Sequence, residues 1–77
     1  GERIEIEVVV ERAIELDSYH GRSTMHIMKD KDENVYVWTT AAKSWSAGTA
    51  HKIRGTIKDH RTYKNEKQNI LTRCQEV

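Results

Sequence analysis

The chain has no proline, no phenylalanine, four glycines and one cysteine in 77 residues. Each shortage excludes something. A lone cysteine, Cys74, forbids an internal disulfide, so the scaffold must hold by packing, which suits a reducing cytosol. It falls in an alternating strand and reads as a small core residue; a nucleophile would need a pKa-lowering neighbourhood that the sequence lacks. Without Phe, the core must come from Ile, Val, Leu, Met and Ala. So little Gly and no Pro rule out collagen-like and linker-like chains. No apolar run approaches the roughly 20 residues of a membrane-spanning helix, and no signal peptide is read at the start. A cytoplasmic setting with no membrane partner is therefore expected. The first residue is Gly1, not Met, which suggests a tag remnant or a piece excised from a longer protein.

The length fits one small domain, residues 1–77, near the size at which a core is only just adequate. Formal net charge is +1, which by itself says nothing about nucleic acid. Its distribution says more: residues 1–38 carry a net −4 and residues 39–77 a net +5. Such a split predicts one acidic and one basic face.

From Ile4 to Leu16 apolar and polar residues alternate, with Ile4, Ile6, Val8, Val10, Ile14 and Leu16 on one side and Glu5, Glu7, Glu11 and Glu15 on the other. Period two over this length predicts a long strand, and Arg12 within the apolar row predicts a bend or bulge that divides it between two neighbours. A turn follows over 17–23, then a strand over 24–29. A polar reversal spans 30–34, with Asn34 as the position that tolerates a left-handed backbone. Strand three covers 35–40; if Val35 and Val37 face the core, Tyr36 and Trp38 point the other way. Thr40 to Gly48 is the only stretch that could be helical, with Thr40 as cap and Gly48 as terminator. Trp45 there either plugs an open end of the sheet or stacks on a ligand. His51 to Lys58 forms strand four, with Ile53, Gly55 and Ile57 inward; a glycine inside a strand predicts a bend or a close backbone approach. Residues 59–67 form a basic loop, and 68–77 a fifth strand whose Ile70 and Cys74 are placed in the wall.

Five strands, the first long and bent, with a short helical turn between strands 3 and 4, make the plan of an all-β, five-stranded Greek-key barrel of the oligonucleotide/oligosaccharide-binding (OB) kind. An SH3-like barrel is the alternative.

The segments Lys29-Asp30, Asn34-Val35-Tyr36-Val37-Trp38, Gly55-Thr56-Ile57-Lys58, Tyr63-Lys64, Lys67-Gln68 and Leu71-Thr72-Arg73-Cys74 carry a resemblance over nearly the whole chain. It resembles small OB-fold modules of the single-stranded DNA-binding kind, and in its second half domains of phage- and plasmid-borne proteins. The resemblance speaks to fold more than to ligand, because OB folds also bind proteins and sugars. Glu33 departs from it, since such turns often carry Gly.

Catalysis has little support. Ser44 and Ser46 lack a nucleophile context, and His20, His26, His51 and His60 lack zinc-site spacing, so no enzyme activity, metal or cofactor is expected. Binding single strands needs cations along a groove and aromatic faces for bases. The candidates are Tyr19 and Arg22 in the first loop, Tyr36 and Trp38 as a floor, Arg54 on strand four, and His60, Arg61, Tyr63, Lys64 and Lys67 in the last loop. Each has a structural alternative: packed aromatics, a solvated basic rim. The expected function is binding of single-stranded DNA or RNA with low sequence specificity, within a larger replication or recombination protein. The alternative is a protein-interaction or structural OB domain, whose partner is a separate protein or the rest of the parent polypeptide.

Overall fold

The alternating acidic strand at the N-terminus forms β1 (Glu2–Ser18), and it is the element around which the sheet closes. In the computed structural model, which describes all 77 residues, β2 (Gly21–Lys29), β3 (Val35–Thr40), β4 (Ala50–Tyr63) and β5 (Glu66–Glu76) follow. The hydrogen-bonded order β1-β2-β3-β5-β4 returns to β1, so the five strands make a closed ring. All neighbours are antiparallel except β3 and β5, which run parallel. No helix is present, and so none is long and apolar enough to cross a membrane.

Closure depends on the interruption in β1. Its first half, from Glu2 to Val9, pairs with β4, and its second half, from Val9 to Ser18, pairs with β2. The register shifts between Val10 and Arg12, leaving Glu11 as the bulged residue. The expected division of the strand is therefore present. Its side-chain consequence differs from the simple alternation: Val10 faces Met28 in the interior, whereas beyond the bulge Ile14 lies opposite Met25 on the outer face. One extra residue inverts which side chains point inward.

The interior is built from Val8, Val10, Met28, Tyr36, Trp38, Ile53 and Leu71, with Ile4, Ile6, Trp45, Ile57 and Cys74 packed against them. Tyr36 and Trp38 are thus core residues, at 7% and 6% exposure, not an outward floor. All four residues from Val35 to Trp38 are buried, which is why alternation could not orient this strand. A ring without Phe needs its large side chains inside, and these two supply the volume. The Tyr36 hydroxyl remains satisfied by donating to Asp30 Oδ2 at 2.9 Å. Burial and that neighbouring carboxylate push its pKa up to about 12.

The same carboxylate organises the β2–β3 reversal. Asp30 Oδ1 accepts the backbone N–H groups of Asp32 and Asn34, and Oδ2 also accepts from the Asn34 side chain. Asn34 therefore acts through its amide, and the left-handed position belongs to Glu33, at φ 63°. Partial burial works to raise the Asp30 pKa, but these hydrogen bonds outweigh it and hold the carboxyl below its usual value.

Two further expectations need correction. The 41–49 segment has no helical turn. Thr40 Oγ1 does accept the Ala42 N–H at 3.0 Å, as a cap would. However, the Trp45 N–H, which a helical turn would direct to Ala41, donates instead to His26 Nε2 at 2.9 Å. The supposed loop over 59–67 is also almost entirely strand. β4 and β5 continue as a hairpin through Thr62↔Lys67 and Tyr63↔Glu66, closed by Lys64 and Asn65 at φ 50° and 65°. Two successive positive φ values make a turn whose twist suits paired strands, and Asn tolerates that conformation better than most residues. A Lys-Asn turn lacks the glycine that advertises such a hairpin in sequence.

Gly55 shows the close approach expected of it. A Cβ there would lie 2.5 Å from Cys74 Sγ. The β4–β5 register shifts between Arg54 and Thr56, and across it Arg73 adopts φ 56°. That bulge places both Leu71 and Cys74 on the inner side, so Leu71 takes the wall position expected of Ile70, which faces outward beside Val37. Burial pushes the Cys74 thiol up to about 11, so at neutral pH it is a packing group. Gly55→Ala is expected to cost about 1–3 kcal/mol through overpacking. Adding Cys74→Ala should recover most of that loss in urea unfolding, and no recovery would mean that the thiol is not the obstacle.

Candidate nucleic-acid interface

Three strands present an outer face whose composition follows from the registers. Met25 and Ile27 of β2 and Ile70 of β5 lie half-buried on it, with Val35 and Val37 of β3 buried between them, and Ile27↔Val37 and Val37↔Ile70 are directly adjacent. Parallel pairing of β3 with β5 sends the β4–β5 hairpin past the Val35 end of this face. The β1–β2 hairpin extends past the opposite end, where Thr24 meets Thr40. The face is therefore aliphatic and has a hairpin tip at each end.

The β1–β2 tip carries Tyr19, which is 99% exposed and meets His20 edge-on at 5.4 Å. Arg22 sits two residues on from His20, its Nε 3.1 Å from Asp17 Oδ1. Both members of that pair are largely exposed, and such pairs contribute little to stability.

The β4–β5 hairpin holds the other group. A recess between it and the β2–β3 turn is lined by Lys29, His60, Arg61 and Lys67, with Glu33, Asn34, Glu66, Gln68 and Asn69 among the remaining lining residues. His60 Nδ1 lies 3.0 Å from Asn69 Oδ1, and the Asn69 amide donates to the Val35 carbonyl, which ties the arm to β3. Tyr63 near the tip is 57% exposed, and Lys64 Nζ lies 5.4 Å from its ring centroid. Arg61, Lys64 and Lys67 form no ion pair, so their charges are uncommitted. Lys29, which the sequence did not single out, pairs with Glu11 at 3.0 Å, and that carboxylate raises its pKa.

The residues expected to act together are thus only partly assembled. His60, Arg61 and Lys67 meet in one recess, with Tyr63 and Lys64 at the adjoining tip. Tyr19 and Arg22 lie at the far tip. Tyr36 and Trp38 are inside the ring. Arg54 lies on the β1–β4 arc, its guanidinium donating to Glu5 at 2.8 Å and holding that carboxyl below its usual range. No signal in the sequence marks Lys29 as a recess residue, because its position depends on where the β4–β5 hairpin crosses the β2–β3 turn.

No family model matches the chain, and no curated protein or solved structure was found to match it.

Proposed function

We propose that the ring is an OB-fold Greek-key barrel and that it binds single-stranded nucleic acid, DNA or RNA, chiefly through the β4–β5 hairpin. The strand order with its single parallel β3–β5 pairing supports the fold reading. The observation that carries the function is the pair of unpaired cations lining a recess, Arg61 and Lys67, with the unpaired Lys64 beside the exposed Tyr63 at the adjoining tip. Cations would neutralise phosphates and the tyrosine would stack on a base, a combination that holds a single strand with little regard to sequence. Tyr19 and Arg22 would receive the strand at the far end of the face. With Tyr36 and Trp38 buried, the surface between the tips is aliphatic, so stacking would be confined to the two hairpins. Within a longer parent polypeptide in replication or recombination, the module would add affinity for exposed single strands.

Titration of a labelled oligo-dT, and separately oligo-U, at several salt concentrations tests this reading. Three phosphate contacts give a slope of about −2 in log affinity against log salt. A flat salt response removes the proposal.

A second reading has its own support. Met25, Ile27 and Ile70, half-buried around the buried Val37, form an aliphatic strip that nucleic acid does not require. A protein partner, or another part of the parent polypeptide, would cover it. No retention on single-stranded DNA resin, with co-purification of a partner that Ile27→Lys releases, would favour this alternative.

A further inference from the structure

We propose that the segment from Ala41 to Thr49 is an acid-released latch over one end of the ring, held shut by neutral His26. His26 lies on β2 with its side chain in the interior and is fully buried. Both ring nitrogens are engaged. Nδ1 lies 3.2 Å from the Trp38 carbonyl, which can only accept, so Nδ1 carries the proton. Nε2 is then a lone pair, and it accepts the backbone N–H of Trp45 at 2.9 Å. This assigns one tautomer, neutral imidazole with hydrogen on Nδ1.

The latch has few other ties. At its C-terminal end the Gly48 N–H donates to the Val10 carbonyl, and the Val10 N–H donates to the Thr49 carbonyl. At its N-terminal end the Ala42 N–H reaches only its own neighbour Thr40. Between these, the backbone is joined to the ring solely through Trp45 and His26. The Trp45 indole completes the closure. It lies 5.2 Å from the Trp38 ring and 5.5 Å from the His26 ring, and stacks on His51 at 3.9 Å with planes 12° apart.

A second proton on His26 would turn Nε2 from acceptor to donor. The Trp45 N–H would then face another N–H, and a buried cation would have no carboxylate partner. The titratable group that acts on His26 is His51 of β4, whose Nδ1 bonds Glu76 of β5 at 2.7 Å. Thr49 Oγ1 donates to the Ser46 carbonyl and lies 2.8 Å from His51 Nε2. A positive His51 would oppose charging of His26. Near the mouth, Glu15, Arg22 and Lys43 line a shallow recess beside Thr24. The buried core cluster carries no charged side chain, and Tyr36 is its one titratable member. Burial foremost, then His51, hold the His26 pKa below its ordinary value, against the opposing effect of the Trp38 carbonyl.

The sign follows. The closed latch prefers neutral His26, whereas the open latch leaves the imidazole near its ordinary value of about 6.5. Closure is complete above that value. It weakens as pH falls toward the lowered value of the closed form, with the open-to-closed ratio rising about tenfold per pH unit in that window. Release would uncover the Trp38, Trp45 and His51 rings while the five paired strands persist.

Amide exchange and imidazole shifts followed by NMR in the wild-type domain test this directly. The protection factor of the Trp45 amide should fall about tenfold per pH unit below about 6.5 and level off where the His26 ring of the closed form titrates, while the amides of Ile53 and Leu71 keep theirs. If Trp45 protection is independent of His26 charge, or if Ile53 and Leu71 lose protection in the same transition, the latch is overturned. His26→Gln, which cannot gain a proton, should abolish the acid-dependent change in Trp45 amide protection. Persistence of that change in a folded His26→Gln domain would equally reject the proposal. Because oligonucleotide affinity is not the readout, failure of the nucleic-acid reading leaves this test intact.

Discussion

Trp38→Ala should lower unfolding stability by about 3–5 kcal/mol, the range for removing a buried aromatic side chain. For a chain of this length total stability is on the order of 4–12 kcal/mol, so the variant would sit near its unfolding threshold. The cause is the indole's position. Trp38 is 6% exposed, belongs to the central cluster with Val8, Met28, Ile53 and Leu71, and also supports Trp45 at 5.2 Å. Its removal would cost the apolar transfer energy, leave a cavity among residues that cannot collapse freely within a closed ring, and loosen the 41–49 segment above it. Urea unfolding measures the loss. A midpoint within error of the wild type would show that the indole is not in the interior. Tyr63→Ala supplies the contrast: its exposed ring should change stability by no more than about 0.5 kcal/mol.

The largest effect on binding is expected from the hairpin. Arg61→Ala, Lys64→Ala and Lys67→Ala combined should flatten the salt dependence of oligo-dT binding by about two units of slope, about 0.7 for each phosphate no longer neutralised. Tyr63→Ala alone should weaken binding by about 1–3 kcal/mol, the worth of one base stacked on an aromatic ring, with the salt slope retained. These two signatures differ because one change removes counterion release and the other removes a π-face. None of the four residues is buried, so thermal unfolding should be unmoved. Arg54→Ala is the internal control. That guanidinium is committed to Glu5 on the β1–β4 arc, and its loss should leave affinity unchanged. Equal losses from Arg54→Ala and from the hairpin variants would point to general charge attraction and not to a site.

Placement of the recess explains why only part of it was legible. His60, Arg61 and Lys67 are close in sequence, so any hairpin brings them near one another. Lys29 joins them only because the parallel β3–β5 pairing lays the hairpin against the end of β2 and the β2–β3 turn. The same pairing separates Tyr19 and Arg22 from Tyr63 by the length of the outer face. Arg54 shares the basic composition of the second half but lies on another arc of the ring.

Local causes in the chain suffice for the five strands, the division of β1 near Arg12, the tight packing at Gly55 and the absence of a disulfide. Those causes are period-two alternation, a break in it, a missing Cβ and a cysteine count. Which faces turn inward was settled only when the ring closed. Val35-Tyr36-Val37-Trp38 is apolar on both sides, and so nearly is Met25-His26-Ile27-Met28, so alternation has two equivalent solutions there. The bulge at Glu11 selects one by aligning Val10 with Met28, and β2 then carries Tyr36 and Trp38 inward through Met28↔Tyr36 and His26↔Trp38. His26 could not be read as a buried residue until its two partners, the Trp38 carbonyl and the Trp45 amide, came within hydrogen-bonding distance. Its burial is tolerable only because both nitrogens are satisfied, and that condition exists only in the closed ring.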